Sequence, residues 1–303
     1  MLEEKYKDLS SYSSELDKRV FNYIKTQKAA YKREIELNLE FDYPPVDVGQ
    51  AIKWFYKAAR FKPLSMEKRK GTETYDFYFP KSIKKPLYQE AIERKFGCAE
   101  NFAVYASNIG QWVSEKLYPD IFENLGFQVI DTKTKTFARA QFVGDIDIIL
   151  ETFEPSHTKI FVDVKNRLPF YDQGLLLHFI NNLRLIRTPH LKIVPIVIAR
   201  RIYEEPSKVL ESLNGIGIEM EKILIPQASK EISCSFNENI ADICRVVPER
   251  LIQPDFKTKL QVIKRYNEGF DFSSTLVDEK IKPIITKKKF PTLIHSEIDL
   301  DDI

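Results

Sequence analysis

The stretch from Phe142 to Asn166 constrains the fold more than any other part of the chain. It holds two apolar runs, Phe142–Glu151 (with VGDIDIILE) and Thr158–Asn166 (TKIFVDVKN), joined by a short connection. β-Branched residues dominate both runs, and charges enter at alternate positions. Short apolar runs of this kind read as strands covered on both faces. A period of two puts Asp145 and Asp147 on one face of the first strand, with Ile146 and Ile148 on the other. In the second strand Asp163 and Lys165 share a face, and Val162 and Val164 share the opposite one. An unpartnered charge in such a strand is expensive. If the strands are neighbours, two carboxylates and a lysine converge on one sheet surface. Carboxylates a few ångströms apart repel, and a hard divalent cation with oxygen ligands relieves the repulsion. Mg²⁺, with Mn²⁺ as its substitute, suits a site of few carboxylates completed by substrate phosphate. The metal lowers the pKa of a bound water and stabilises charge on a phosphodiester oxygen, and an adjacent lysine holds that water. The pattern is equipment for phosphodiester hydrolysis.

Other chemistries have no comparable signal. Ten glycines in 303 residues, with no G-x-x-x-x-G-K-[ST] and no G-x-G-x-x-G, argue against P-loop and dinucleotide-binding folds. The four histidines (His157, His178, His190, His295) lack H-E-x-x-H spacing, and no G-x-S-x-G elbow exists. His178 falls on an apolar helix and reads as partly buried; His157 falls in the turn between the acidic strands. Cys98, Cys234 and Cys244 form neither a disulfide framework nor a four-ligand zinc site. A hydrophobic content of 43% supports a sizeable core. No apolar run approaches the roughly 18 residues of a membrane span, and the charged start MLEEKYKDLS lacks a signal-peptide core. The expectation is a cytoplasmic protein with no membrane partner.

Length favours two domains. Ser14–Thr26, Ala29–Leu39 and Val46–Arg60 read as three helices, the last with Val48, Ile52, Phe55 and Tyr56 on one face. Lys62–Gly71 is basic and turn-like, and Thr72–Pro80 alternates as a strand. Three helices, a basic loop and a strand follow the order of a winged helix-turn-helix. Ala51–Lys85 carries ten basic residues against three acidic ones, a surplus of seven, with Trp54, Phe55, Tyr56 and Phe61 interleaved. Lys53, Lys57, Arg60, Lys68, Arg69 and Lys70 are the candidate contacts to nucleic-acid phosphates. Winged helices also serve as protein-binding modules.

Lys81–Lys85, between Pro80 and Pro86, reads as a linker. Beyond it come a helical Glu100–Leu125 interrupted near Pro119, strands at Gly126–Thr132, Phe142–Glu151 and Thr158–Asn166, and a helix at Phe170–Ile186. A strand at Lys192–Ala199 follows, with Pro195 suggesting an edge or a bulge. A short helix Pro206–Leu213 and a strand Ile218–Ile225 complete an α-β-β-β-α-β-α-β order, an α/β domain on a central mixed sheet. Asn237–Leu251 and Phe256–Tyr266 read as helices ahead of an acidic tail. The domains expected are 1–84, 85–230 and 231–303.

Gly144–Asp147 followed by Phe161-Val162-Asp163-Val164-Lys165 resembles the PD-(D/E)xK nuclease superfamily, in the flavour of archaeal Holliday junction resolvases. The tripeptide [DE]-x-K alone says nothing, since it occurs six times; only the Asp163 copy lies in an apolar strand behind another acidic strand. The resemblance spans about Asn108–Pro226 and implies a restriction endonuclease-like core, αβββαβ, flanked by helices. It also implies Asp147 and Asp163 as metal ligands, the Val164 carbonyl completing the metal shell, and Lys165 as the catalytic lysine. A family glutamate on the first core helix, ahead of a Gly-Phe turn, corresponds to Glu115, eleven residues before Gly126; Glu100 is a second candidate. Gln173 resembles a glutamine that many members place near the site. Ile146 replaces a proline and Asp163 replaces the commoner glutamate, and both are compatible with activity. A DNA-recognition domain ahead of such a core resembles the layout of Mrr-like restriction enzymes.

The expectation is a metal-dependent DNA endonuclease in restriction or defence, transposition or recombination. Arg167, with Arg139, Arg184, Arg187, Arg200 and Arg201, offers further charge for the DNA backbone. Cutting both strands of a duplex calls for two active sites, hence a homodimer or a partner nuclease subunit. The alternatives are a non-catalytic DNA-binding protein on the same fold, and an RNA nuclease.

Overall fold

The computed structural model describes residues 15–40, 42–57, 64–152, 158–167, 169–188, 190–226, 244–247, 272 and 279–282. Two compact units emerge: Met1–Ile109 with Lys222–Val247, and Gly110–Glu221 with Pro248–Ile303. The sequence reading instead divides the chain at 84/85 and 230/231.

The first unit opens with helix α1 (Glu15–Gln27), a two-residue strand β1 (Ala30–Tyr31), and helices α2 (Lys32–Leu39) and α3 (Pro45–Lys57). Val20, Ile24, Ile35, Leu39, Val48, Ile52 and Phe55, spaced three or four apart within each helix, form their shared core. Tyr56, expected on the inner face of α3, is exposed. Strands β2 (Leu64–Lys70) and β3 (Thr74–Pro80) form a hairpin, and β1 pairs with β3 in the sheet order β1-β3-β2. Leu64–Lys70 is therefore strand where a turn-like loop was expected. Leu64 is buried while Lys68 and Lys70 face solvent, so a lysine-rich sequence serves as an edge strand. The turn falls at residues 71–73.

Helix α4 (Lys85–Trp112) starts at the segment read as a linker. Pro86 sits in its first turn, where the missing N–H costs nothing. Lys95 of α4 is buried against Glu34 of α2 and donates to Gln27 Oε1 of α1 at 3.2 Å. Tyr23 donates to the same Glu34 carboxylate at 2.9 Å. Burial lowers the Lys95 ammonium below its ordinary pKa, and Glu34 partly offsets that. The unit also contains β9 (Ile223–Pro226) and β10 (Cys244–Val247), a parallel pair. Residues 244–247 are thus strand rather than part of the helix expected at Asn237–Leu251; the β-branched pair Val246-Val247 favours that outcome. The helix expected at Phe256–Tyr266 lies outside the described residues.

The second unit begins with one wide turn (Val113–Leu117), after which α5 (Tyr118–Asn124) resumes the helical path with Pro119 in its first turn. The wide turn accommodates the proline ring, which accounts for the interruption expected there. Then follow β4 (Phe127–Phe137), β5 (Ala140–Thr152), β6 (Thr158–Lys165), α6 (Gln173–Arg184), β7 (Lys192–Ala199), α7 (Glu204–Ser212) and β8 (Ile216–Glu219). The sheet order is β4-β5-β6-β7-β8, antiparallel for the first two pairs and parallel for the last two. This is the expected mixed α/β architecture, a five-stranded mixed sheet flanked by helices. Ala138 and Arg139, both in the left-handed region, make the two-residue turn between β4 and β5. Ile149, Phe161 and Val197 pack under Leu176, Phe179, Ile180 and Leu183 of α6, with Phe272 and Ile281 in the same cluster.

Two expectations change here. Ile218–Ile225 is two strands, Ile216–Glu219 and Ile223–Pro226, parted at Glu221, whose φ of 62° breaks the extended path. Pro195 lies in an inner strand, not an edge. Its carbonyl faces Gly215, so its nitrogen faces that side too, and β8 pairing begins only one residue on, at Ile196↔Ile216. No ladder bond is lost. A Cβ at Gly215 would stand 2.6 Å from the Pro195 oxygen. Gly215→Ala is expected to lower stability by roughly 1–3 kcal/mol. Gly97→Ala, on an open face of α4 with nothing near the added methyl, is expected to raise it by about 0.8–1 kcal/mol. Urea unfolding midpoints of the two variants check both signs.

Candidate active site

β5 and β6 pair through Ile148↔Val162, Ile149↔Phe161 and Leu150↔Ile160. Beyond that the strands part, and the next ladder position is filled by a side chain. The Val164 N–H donates to Asp147 Oδ2 at 2.7 Å, where a β5 carbonyl would otherwise accept. A strand residue directs its N–H and C=O to the same side, so the Val164 carbonyl also faces this fork. On the β5 side the opening is held by α6: Val143 N donates to Asn182 Oδ1 at 2.9 Å, and Asn182 Nδ2 donates to Val143 O at 3.1 Å. One buried amide thus completes both backbone groups of a strand residue. Gly144, with φ of +92°, makes the bend beside it, and His178 of α6 stands over that glycine. His178 is exposed, not partly buried as the apolar helix suggested.

Within the fork, Lys165 Nζ donates to Asp147 Oδ2 at 3.2 Å and is paired with Asp163 Oδ1. The two carboxylates and the lysine that sequence periodicity brings together do meet. Their side chains are 17%, 9% and 27% exposed for Asp147, Asp163 and Lys165, so the cluster is shielded yet open on one side. Burial pushes the Asp147 carboxyl up to about 6; the Lys165 charge opposes this, while the Asp163 charge adds to it. Burial alone would lower the Lys165 ammonium, but Asp163 and Asp147 together outweigh it and raise its pKa above the ordinary value.

A tyrosine that sequence reading missed completes the cluster. Tyr171 is fully buried and its hydroxyl donates to Asp163 Oδ2 at 2.7 Å. Its backbone is pinned beside Arg201–Tyr203: Tyr171 N donates to Arg201 O at 2.8 Å, and Tyr203 N to Tyr171 O at 3.1 Å. Burial, then the Asp163 charge, push the Tyr171 hydroxyl well above its usual range. No local motif marks this residue, because a loop followed by an isolated bridge brings it there.

The remaining candidates are placed differently. Glu115, on the wide turn, pairs with Lys133 Nζ of β4 at 2.9 Å and accepts from Gln111 at 2.9 Å. Those two bonds, Gln111 first, hold its carboxyl below the ordinary range. Lys133 also feels the charges of Asp145 and Asp147, so Glu115 stands at the flank of the fork, one lysine away. Asp145 faces Lys135 at 3.8 Å rather than joining Asp147. Gln173 is the first residue of α6, next to the N-cap Asp172, whose Oδ1 accepts from Leu175 N at 3.0 Å. No described hydrogen bond joins Gln173 to the cluster. Glu100 lies in the first unit, where it accepts from Thr72 N and Oγ1 at 2.9 and 3.2 Å.

Among the basic candidates, Lys53, Lys57 and Lys70 are exposed. Lys68 is 3.9 Å from Asp76, and Arg69 is held by Glu67 and Glu93 at 2.8 and 2.7 Å, so Arg69 is already committed within the protein. Arg60 and His157 lie outside the described residues. In the second unit Arg167 is half-buried just past β6, its Nε without a hydrogen bond. Arg200 cannot contact a DNA backbone: it is buried, over the Phe170 ring at 5.3 Å. Arg201 is 3.6 Å from Glu219.

No family model matches the chain, and no curated protein does. Among solved structures, the crystal structure of a repair endonuclease from Pyrococcus abyssi aligns at 14% identity with a TM-score of 0.26, over 53% of this chain. The chain spans 63% of that protein's length. No described helix is long and apolar enough to cross a membrane.

Because the Asn182 amide replaces ladder bonds that β6 does not supply, Asn182→Ala leaves Val143 N–H and C=O unpaired. The expected cost is about 1–3 kcal/mol, read as a lower urea midpoint in the absence of divalent ions.

Proposed function

We propose that the chain is a divalent-metal-dependent nuclease that hydrolyses phosphodiester bonds in double-stranded DNA. One observation carries this reading: Asp147, Asp163 and Lys165 meet where the paired strands β5 and β6 part. A pair of carboxylates held this close is costly unless a cation serves both. Among the described residues no group of three or more acidic, histidine or cysteine side chains gathers as a metal cluster. The donor set is therefore two carboxylates and one backbone carbonyl, hard oxygen ligands with room for water and phosphate, which suits Mg²⁺ or Mn²⁺. Asp147, Asp163 and the Val164 carbonyl would hold the ion. When bound, the ion polarises the scissile phosphate and lowers the pKa of a water.

The protein groups act around that water. Lys165 keeps its proton beside two carboxylates, so it serves as a hydrogen-bond donor rather than as a base. It orients the attacking water and shields the charge that builds on a non-bridging phosphate oxygen. The water oxygen bonds to phosphorus as the P–O bond to the leaving strand breaks; the water gives up its proton to solvent, with Glu115 as auxiliary base, and the leaving oxygen takes a proton from solvent water. Glu115, at the flank and tied to Lys133, would be an auxiliary ligand or base of the site; Gln173, at the helix start, would contact substrate. Arg167, with its Nε free of hydrogen bonds, supplies charge for a neighbouring phosphate.

The first unit supports duplex DNA as the substrate. Its order, helix, strand, helix, helix, then a hairpin whose second strand pairs with β1, resembles that of a winged helix-turn-helix. In that reading α3 enters the major groove and presents Lys53 and Lys57. Cutting both strands requires a homodimer or a partner nuclease subunit, in a restriction, transposition or recombination role.

The test is cleavage of supercoiled, linear, branched and single-stranded DNA, and of RNA, by the full chain. Cutting of duplex DNA with Mg²⁺ or Mn²⁺, abolished by EDTA, is expected. Asp163→Ala and Lys165→Ala are each expected to lower the rate by about 10²–10³-fold or more. No cutting of any substrate, with DNA still bound, would leave a non-catalytic DNA-binding protein; cutting of RNA alone would replace DNA as the substrate. Separately, Lys53→Ala with Lys57→Ala is expected to weaken DNA binding uniformly across sequences and to reduce the salt slope by about one per lysine, read by titration at several salt concentrations.

A further inference from the structure

The fork contains one polar group that the proposed reaction does not use. Tyr171 is fully buried, yet its hydroxyl is spent on a single carboxylate oxygen, Asp163 Oδ2, at 2.7 Å. The other oxygen of the same carboxylate, Oδ1, faces Lys165. Asp163 is thus gripped from both sides: from below by a rigid phenol, and from the open side by a lysine on a flexible stem. The phenol is rigid because its own backbone is fixed twice, to Arg201 O and from Tyr203 N. Those residues follow directly on β7, the strand that pairs with β6 along Asp163↔Val197. Two independent paths, the β6–β7 ladder and the Tyr171 bridge, therefore fix the same carboxylate against the same strand. Tyr171 belongs to the buried core cluster that also holds Leu176 and Phe179 of α6 and Phe161 of β6. Water therefore offers no easy substitute for the hydroxyl.

We propose that Tyr171 is a positioning residue that holds Asp163 in a one-oxygen, metal-facing orientation. The hydroxyl engages Oδ2 from the buried side, so Oδ1, which Lys165 contacts from the open side, is the oxygen turned towards a cation. A carboxylate fixed in this way binds in a single geometry and loses no rotamer freedom when the ion arrives. Hydrogen bonds to a ligating carboxylate commonly alter metal affinity or activity by about 10- to 100-fold when removed. Asp147 is held differently, by the Val164 N–H and by Lys165. The two carboxylates are thus oriented by different means, one by backbone and one by a buried phenol.

This inference rests on the metal-dependent reading of the site, and the experiment separates the two. Full-length wild type, Tyr171→Phe, Asp163→Ala and the double variant are titrated with Mn²⁺ by calorimetry, and their urea midpoints are taken without metal. If wild type binds no Mn²⁺, or binds it equally well without Asp163, the metal reading itself fails. If wild type binds through Asp163, Tyr171→Phe is expected to bind about 10- to 100-fold more weakly, with kcat lowered and DNA affinity in EDTA unchanged. In the Asp163→Ala background the same change should add nothing. Equal Mn²⁺ affinity in wild type and a folded Tyr171→Phe overturns the positioning role alone. Should the phenylalanine variant lose its cooperative urea transition, 3-fluorotyrosine placed at position 171 keeps the hydroxyl and the shape. Its ¹⁹F resonance is then expected to shift with Mg²⁺ in wild type and to stay still in Asp163→Ala; a still resonance in both overturns the proposal.

Discussion

The hydrogen bond from Val164 N–H to Asp147 is the interaction on which the rest of the site depends. A side-chain carboxylate takes the place of a strand carbonyl, so two neighbouring strands can part without stranding a buried N–H. The parting makes room for charged groups in a sheet whose central strands are otherwise buried on both faces. Once the strands diverge, their other edges must be satisfied too. Asn182 does this for Val143, and the left-handed Gly144 lets β5 bend away. A continuous ladder would have given a stable sheet with no site.

The charges in the fork are arranged so that burial works against each of them alone and in favour of the group. Two shielded carboxylates repel, and burial pushes Asp147 towards its neutral form. A buried ammonium is equally unfavourable in isolation. Lys165 touches both acids, so each desolvation cost is set against an attraction that the low-dielectric surroundings strengthen. Tyr171 adds a neutral hydrogen-bond donor to Asp163 from the inner side, without adding charge. The cluster lies at the border of the α6-covered core, where apolar packing supplies rigidity and the open side admits solvent.

The first unit shows the same economy of polar groups. The hairpin tip is tied to α4 through Glu100 and Thr72, and the β2 strand through Arg69 and Glu93. Tyr75 donates to the Ala99 carbonyl at 3.3 Å and stacks edge-on with Phe96. Part of the basic surplus noted between Ala51 and Lys85 is consumed by these internal pairs. Among the described residues, Lys53 and Lys57 on α3, Lys68 and Lys70 on β2, and Lys81, Lys84 and Lys85 beyond β3 remain exposed. Counting charges along the chain overstates the surface available to phosphate, because acidic partners arrive from a helix more than twenty residues further on.

The sequence by itself determined the strands around the site and the side of each on which charge would fall. Alternation in β5 and β6 is a local property of the backbone; it brought Asp147, Asp163 and Lys165 together, though not Asp145, which faces Lys135. The αβββαβαβ order was equally legible, since each element has its own periodicity and breakers. Tertiary structure alone decided everything that depends on who meets whom across long loops. Tyr171 reaches Asp163 because residues 201–203 anchor its backbone; Asn182 reaches Val143 across 39 residues; Lys133 draws Glu115 to the flank. None of these has a local signature, because an asparagine or a tyrosine in a helix or loop looks the same whether or not a partner waits across the fold. Pro195 makes the same point from the backbone. Its ring forbids one hydrogen bond, and only the late start of β8 made that bond unnecessary in an inner strand. Periodicity is written in neighbouring residues, whereas partnership is written in topology.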